Sequence, residues 1–154
     1  MSSSVNSTAL DDVDRIILSE LVRNGRATFK ELGALAGLSP HAVAPRVRRL
    51  VDAGIVTGFT ALVDFGHVGR GLDALIDLRL LSTARPEAFE AAAGKLPSIR
   101  EVSFVTGRFD YQLRAACVDA DDLDHTVRAL RRAGAAVTET RIVLRTQPFL
   151  RSVR

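Results

Sequence analysis

The stretch TFKELGALAGLSPHAVAPRVRRL, residues 28–50, decides the fold. Thr28 and Glu31 have the spacing of a capping box, in which the hydroxyl accepts from the Glu31 amide and the carboxylate reaches back to Thr28. Leu32, Leu35 and Ala36 then supply one apolar face, and Gly37 suits a left-handed helix end. A second helix begins almost at once. Ser39 is a good N-cap, and Pro40 fits the first helical position, where no amide is needed. Val43, Val47 and Leu50 recur at i, i+4 and i+7 and face inward, and Gly54 ends the helix. Pro45 lies inside it, where it removes a backbone bond and pushes Ala44 from helical geometry; a kink or a tightened first turn is expected.

Upstream, residues 1–8 are polar and Ser-rich and read as a loose tail. Val13, Ile16, Ile17 and Leu21 make an apolar stripe at helical spacing. Asp11, Asp12 and Asp14 crowd its start, where the helix dipole favours carboxylates, and Asn24-Gly25 stops it. Three helices, the last two joined by a short Gly-containing turn, form a helix-turn-helix. Such a turn holds the third helix so that its outer face can enter a DNA major groove. By the helical wheel that face carries His41, Pro45, Arg48 and Arg49, flanked by Ala42 and Arg46, with Asp52 the only nearby acid. Arginines there can pair with phosphates or guanine edges, and the free amides that begin at Ser39 can hold a phosphate. The competing readings are a solvated charged face and a protein-interaction module.

The chain has 154 residues, 47% of them hydrophobic, which is enough to bury a core in one ordinary domain or two small ones. Net charge is +3, a basic bias that permits nucleic-acid binding without demanding it. Cys117 is the only cysteine, so no intrachain disulfide can form, and it sits in an apolar alternating run unsuited to a nucleophile. No signal-peptide pattern and no apolar run near ~20 residues is present, so a soluble, cytoplasmic protein without a membrane span is expected.

Beyond the third helix, residues 55–63 are β-prone, and Gly66, Gly69 and Gly71 follow. The expected division is a tail at 1–8, the helix-turn-helix at 9–57, a hinge containing a strand at 58–71, and a second domain at 72–154. Ala74, Ile76, Leu78 and Leu80 alternate as a strand, and Phe89, Ala92, Ala93 and Leu96 recur as a helix over 86–96. Residues 99–106 read as a strand and Gly107-Arg108 as a turn. Phe109, Tyr111, Leu113, Ala115 and Cys117 alternate again. Asp119 and Asp121 can cap a helix with Leu123, Val127 and Leu130 inside, Gly134 ends it, and residues 137–146 close as a strand. The order βαββαβ is that of a ferredoxin-like sandwich, with both helices on one face of the sheet. The other face is expected to keep apolar side chains and to bury them against a second copy, so a homodimer is expected.

These residues resemble the feast/famine regulators, the leucine-responsive and asparagine-regulator (Lrp/AsnC) family. The matching stretches are residues 10–18, Gly25-Arg26, Gly37-Leu38-Ser39, Arg46-Val47-Arg48-Arg49-Leu50, Gly54-Ile55-Val56 and residues 105–111. The resemblance covers roughly residues 10–150. It implies an α+β chain: an N-terminal helix-turn-helix of the winged type, then a C-terminal ferredoxin-like domain that senses a ligand and dimerises. It also implies a DNA-binding transcription regulator whose dimers join into larger rings, commonly octamers, with an amino acid as effector and no cofactor. The family pocket corresponds to Thr106, Gly107 and Asp110, with Tyr111 beside them, and to Thr138 and Thr140 on the last strand. A zwitterion needs an anion near its ammonium, which Asp110 can supply, and donors near its carboxylate, which the Gly107 amides and the threonines can supply.

Two other classes compete. Sirohaem decarboxylases resemble the same family, but His41, His67 and His125 fall on three different elements and no metal-ligand spacing or phosphate loop is present. An architectural DNA-coating protein without an effector would suit the arginine helix equally well.

Overall fold

The computed structural model describes residues 9–147, which divide into two compact units at Leu62 and Val63. In the first unit, helix α1 (Asp12–Arg23) starts at a capping box between Asp11 and Asp14: the Asp14 amide donates to the Asp11 carboxylate at 2.7 Å. Helix α2 (Phe29–Ala36) starts at the expected box, the Thr28 amide donating to Glu31 at 2.7 Å, and ends on Gly37 at φ 68°. Helix α3 (Pro40–Asp52) starts on Ser39, whose hydroxyl accepts from the Ala42 amide. Gly33 makes the tight turn between α2 and α3 possible. A Cβ there would lie 2.4 Å from the Leu38 carbonyl oxygen, so only glycine lets the chain cross at this point.

Ile17, Leu18, Leu32, Val43, Val47 and Leu50 form the core of this unit. Two expected core residues are not in it: Ile16 is 42% exposed and Leu35 is 55% exposed. The α1 stripe is rotated, so that Asp14, Ile17, Leu18 and Leu21 face inward and Asp14 is fully buried. Helix α3 stays helical through Ala44 and Pro45, and its first turn carries an i→i+3 bond from the Ala42 amide to the Ser39 carbonyl at 3.0 Å beside the i→i+4 bond from Val43 at 3.1 Å. Proline removes only the bond to the His41 carbonyl, which belongs to an exposed residue, and the packing of Val43, Val47 and Leu50 holds the remaining turns.

Residues 55–63 form no strand, and none occurs between α3 and the second unit among the described residues. The segment has strand composition, but among the described residues it pairs with no strand: the Ile55 and Val56 amides donate to the Leu50 carbonyl, and neither the connecting strand nor a wing is built from it.

The second unit contains β1 (Leu72–Leu80), α4 (Pro86–Ala93), β2 (Ile99–Phe104), β3 (Tyr111–Cys117), α5 (Ala120–Arg132) and β4 (Ala135–Ile142). The sheet is antiparallel throughout, in the order β2-β3-β1-β4, which is the expected βαββαβ sandwich. Ile76, Leu78, Tyr111, Leu113 and Ala115 face the helices and pack on Phe89, Ala93 and Leu130. The last strand starts directly after Gly134, earlier than expected, and stops before Leu144, which is almost fully exposed.

The uncovered face of the sheet differs from expectation. It carries Asp73, Leu75, Asp77 and Arg79 of β1, Gln112 and Arg114 of β3, and Glu139 and Arg141 of β4. Arg114 grips Asp73 with two bonds, of 3.2 and 2.6 Å. Asp77 accepts from Gln112 at 2.9 Å and from Arg141, and is only 6% exposed. Leu75 and Val137 are large apolar residues on this face, while ion pairs and hydrogen bonds tie together Asp73, Asp77, Gln112, Arg114 and Arg141. Side chains within the chain itself therefore satisfy most of this face.

Among the described residues no helix is long and apolar enough to cross a membrane.

Candidate nucleic-acid interface and effector turn

The outward face of α3 presents exposed His41, Pro45, Arg48 and Arg49, with Ala42 half-buried at its edge and Ser39 exposed at its start. The three arginines differ sharply in what holds them. Arg46 Nη1 donates to Asp11 Oδ2 at 2.6 Å and to Asp14 Oδ1 at 2.9 Å. Arg49 Nη2 pairs with Asp14 Oδ2. Arg48 is exposed and has no acidic partner among the described residues. The Asp11 carboxyl is held below the usual carboxylate range, first by the Asp14 amide and then by the Arg46 guanidinium. Arg46 is therefore a bridge between α1 and α3, Arg49 is shared, and of the three Arg48 alone has no acidic partner among the described residues. The sequence contained the signal for the burial of Asp14, though not for its partners. Asp14 precedes Ile17, Leu18 and Leu21 at spacings of three, four and seven, which place it in the buried stripe.

In the second unit, Thr106, Gly107 and Asp110 share the turn between β2 and β3, and Thr106 and Gly107 are exposed. Gly107 sits at φ 115°, a conformation that favours glycine. Asp110 closes the turn: its carbonyl accepts from the Val105 amide at 2.9 Å, its amide donates to Leu78, and its Oδ2 accepts from the Leu80 amide at 2.8 Å. Half of the carboxylate is thus committed to the fold. Arg79 donates to the Arg108 carbonyl, and Arg108 lies 3.9 Å from Glu139. These flanking charges are additions that strand alternation alone did not single out.

Tyr111 points away from the turn, into the core. It is 1% exposed, between Phe89 at 5.1 Å and Phe104 at 5.2 Å, ring centre to ring centre, and its hydroxyl donates to Glu90 at 2.6 Å. Burial, and then the Glu90 carboxylate, push its phenol up to about 12. Thr138 accepts from Arg131 of α5 at 2.9 Å, and Thr140 is exposed. Leu78 pairs with Tyr111 on one side and Thr138 on the other, so those two residues lie two strand spacings apart, about 10 Å. One chain gathers Thr106, Gly107 and Asp110 but does not close Thr138 and Thr140 around them.

His41 lies on α3, His67 pairs with Asp64 at 2.8 Å, and His125 is exposed on α5. No metal-binding cluster occurs among the described residues. Burial pushes the Cys117 thiol up, away from the reactive thiolate.

Comparison with known proteins gives two family matches. Residues 10–51 match the AsnC-type helix-turn-helix domain, and residues 73–148 match the Lrp/AsnC ligand binding domain. The chain is 35% identical over 138 residues to the HTH-type transcriptional regulator LrpA of Mycobacterium tuberculosis, covering 90% of this chain and 92% of that one. A crystal structure of a transcriptional regulator of Neisseria meningitidis in complex with L-Met superposes with a TM-score of 0.85 at 33% identity, covering 94% of this chain and 96% of that one. A feast or famine regulatory protein of M. tuberculosis, complexed with L-methionine, gives a TM-score of 0.84 at 35% identity, with 90% and 94% covered.

Proposed function

The chain belongs to the Lrp/AsnC family of HTH-type transcriptional regulators, and from that premise we propose that α3 reads double-stranded DNA while the turn at residues 105–110 binds an amino acid. The observation that carries the reading is the Gly33–Gly37 turn, which fixes α3 against α2 and leaves Arg48, His41 and Pro45 facing outward. The start of α3 at Ser39, His41 and Ala42 meets base edges, and Arg48, with the free part of Arg49, meets phosphates or guanines. Two copies present two such helices to successive major grooves, and the dimers join into a higher assembly such as an octamer. The protein works in the cytoplasm, without a cofactor.

The effector is a small molecule, an amino acid. The charge of Asp110 faces its ammonium, the amides around Gly107 face its carboxylate, and a second copy completes the enclosure that one chain leaves open. Binding shifts the assembly and with it the DNA affinity. The two relatives solved with L-methionine make methionine the first effector to try.

Two measurements test this reading. In the first, binding to duplex DNA is followed by anisotropy across a salt series. Arg48→Gln should flatten the slope of log affinity against log salt by about 0.9, the value of one phosphate contact. An unchanged slope would remove α3 from the interface. In the second, the protein is melted with each common amino acid. A ligand at a hundredfold its Kd should stabilise by about 2.7 kcal/mol. Asp110→Asn, which keeps an acceptor for the Leu80 amide but loses the charge, should abolish the shift. No shift with any amino acid favours DNA coating without an effector.

A further inference from the structure

The unequal fates of three neighbouring arginines have a functional meaning. A phosphate that recruits Arg46 must compete with Asp11 and Asp14, both already within 3 Å of its Nη1. Asp14 is fully buried and cannot follow the guanidinium outward or be solvated in its place. Detaching Arg46 leaves that carboxylate, among the described residues, with Arg49 and the Asp11 amide, so Asp11 and Asp14 each add to the cost of recruiting Arg46. Arg48, on the far side of the outward face from Arg46, faces no such competition.

We propose that Asp11 and Asp14 act as a specificity filter: they withhold Arg46 from the DNA backbone and so limit sequence-independent binding. The inference rests on α3 being the DNA-facing helix. Sequence-independent affinity grows with the number of phosphates neutralised, whereas base contacts do not depend on that count. Holding back one arginine lowers affinity for every sequence, and the base contacts at the start of α3 then count for a larger share of the total. Because genomes offer so many competing sites, that ratio governs occupancy more than affinity does. Asp11 is the accessible half of the filter, with its side chain half exposed. It is also the α1 N-cap, a role asparagine fills equally well.

The test uses the full-length protein, a duplex of random sequence and a salt series. Asp11→Asn removes the charge and keeps the cap; it should bind random DNA more tightly, with a slope steeper by up to about 0.9. Asp12→Asn changes net charge equally at an exposed residue that engages no arginine among the described residues, and its slope should stay at the unmodified value. Arg46→Gln alone should leave the slope unchanged, and in the double variant it should abolish the gain from Asp11→Asn. Equal effects of Asp11→Asn and Asp12→Asn overturn the filter, as does a gain that survives Arg46→Gln or a slope that Arg46→Gln flattens by itself. The comparison of Asp11→Asn with Asp12→Asn needs no change at Arg46 and decides the matter if Arg46→Gln does not fold. A flat response to Arg48→Gln is a different failure, that of the α3 reading. An unmoved Asp11→Asn beside a responsive Arg48→Gln sinks the filter alone.

Discussion

Tyr111 is the only tyrosine in a chain without tryptophan, so its ionisation can be followed directly by near-ultraviolet absorbance. Its phenol is buried against Phe89 and Phe104, donates to Glu90, and is raised from 10.0 to about 12. In the unfolded chain the phenol should ionise near its ordinary value. Folding therefore favours the protonated form by roughly 3 kcal/mol, at 1.36 kcal/mol for each tenfold change. This pKa is higher in the folded state, so the contribution is complete below pH 10 and is lost as pH rises to about 12. Denaturant unfolding of the second unit between those limits should show stability falling by that amount, with the phenolate signal appearing at the upper end. Tyr111→Phe should remove this alkaline loss and cost about 1 kcal/mol at neutral pH, because exposed Glu90 regains water. A folded protein that titrates near 10 would refute the reasoning. It would put the hydroxyl in water and return Tyr111 to the effector turn, where the family resemblance had set it.

Two further outcomes follow from the geometry. Gly33→Ala should destabilise the first unit by about 1–3 kcal/mol, since a Cβ 2.4 Å from the Leu38 carbonyl forces the α2–α3 turn apart; an unchanged urea midpoint would contradict the close approach. Asp110→Ala should lower the melting temperature of the second unit, at about 1–2 kcal/mol for the orphaned Leu80 amide, whereas Asp110→Asn should stay near the unmodified protein. Equal losses would mean that charge rather than the hydrogen bond closes the turn.

The helix starts were legible because capping is local: Thr28 with Glu31 and Ser39 with Pro40 carry their geometry within one turn of sequence. The βαββαβ order was legible because alternation and helical spacing mark each element in its own residues. Contacts between elements were not. Asp14 read as a dipole carboxylate at a helix start, and only the approach of α3 makes it the buried centre of an ion cluster. The same holds for the open sheet face, where Asp73 and Asp77 alternate with apolar neighbours but find Arg114 and Arg141 on other strands. Residues 55–63 show the converse: strand composition that meets no neighbouring strand among the described residues yields no strand. Of the candidate effector residues, the turn was visible in Gly107 and Asp110, and alternation with Leu113 and Ala115 set Tyr111 on the apolar face, while its Glu90 partner on α4 was not legible.

Pro45 leaves the outward face of α3 with a mixed chemical character. An α-helix ordinarily closes its mid-helix carbonyls on amides one turn later and offers a partner nothing but side chains. Here the carbonyl of His41 has a proline where its amide should be, so one backbone acceptor loses its i+4 donor. No substitution at position 41 would delete that acceptor. Replacing Pro45 by an amide-bearing residue would instead restore its donor, with no change in charge.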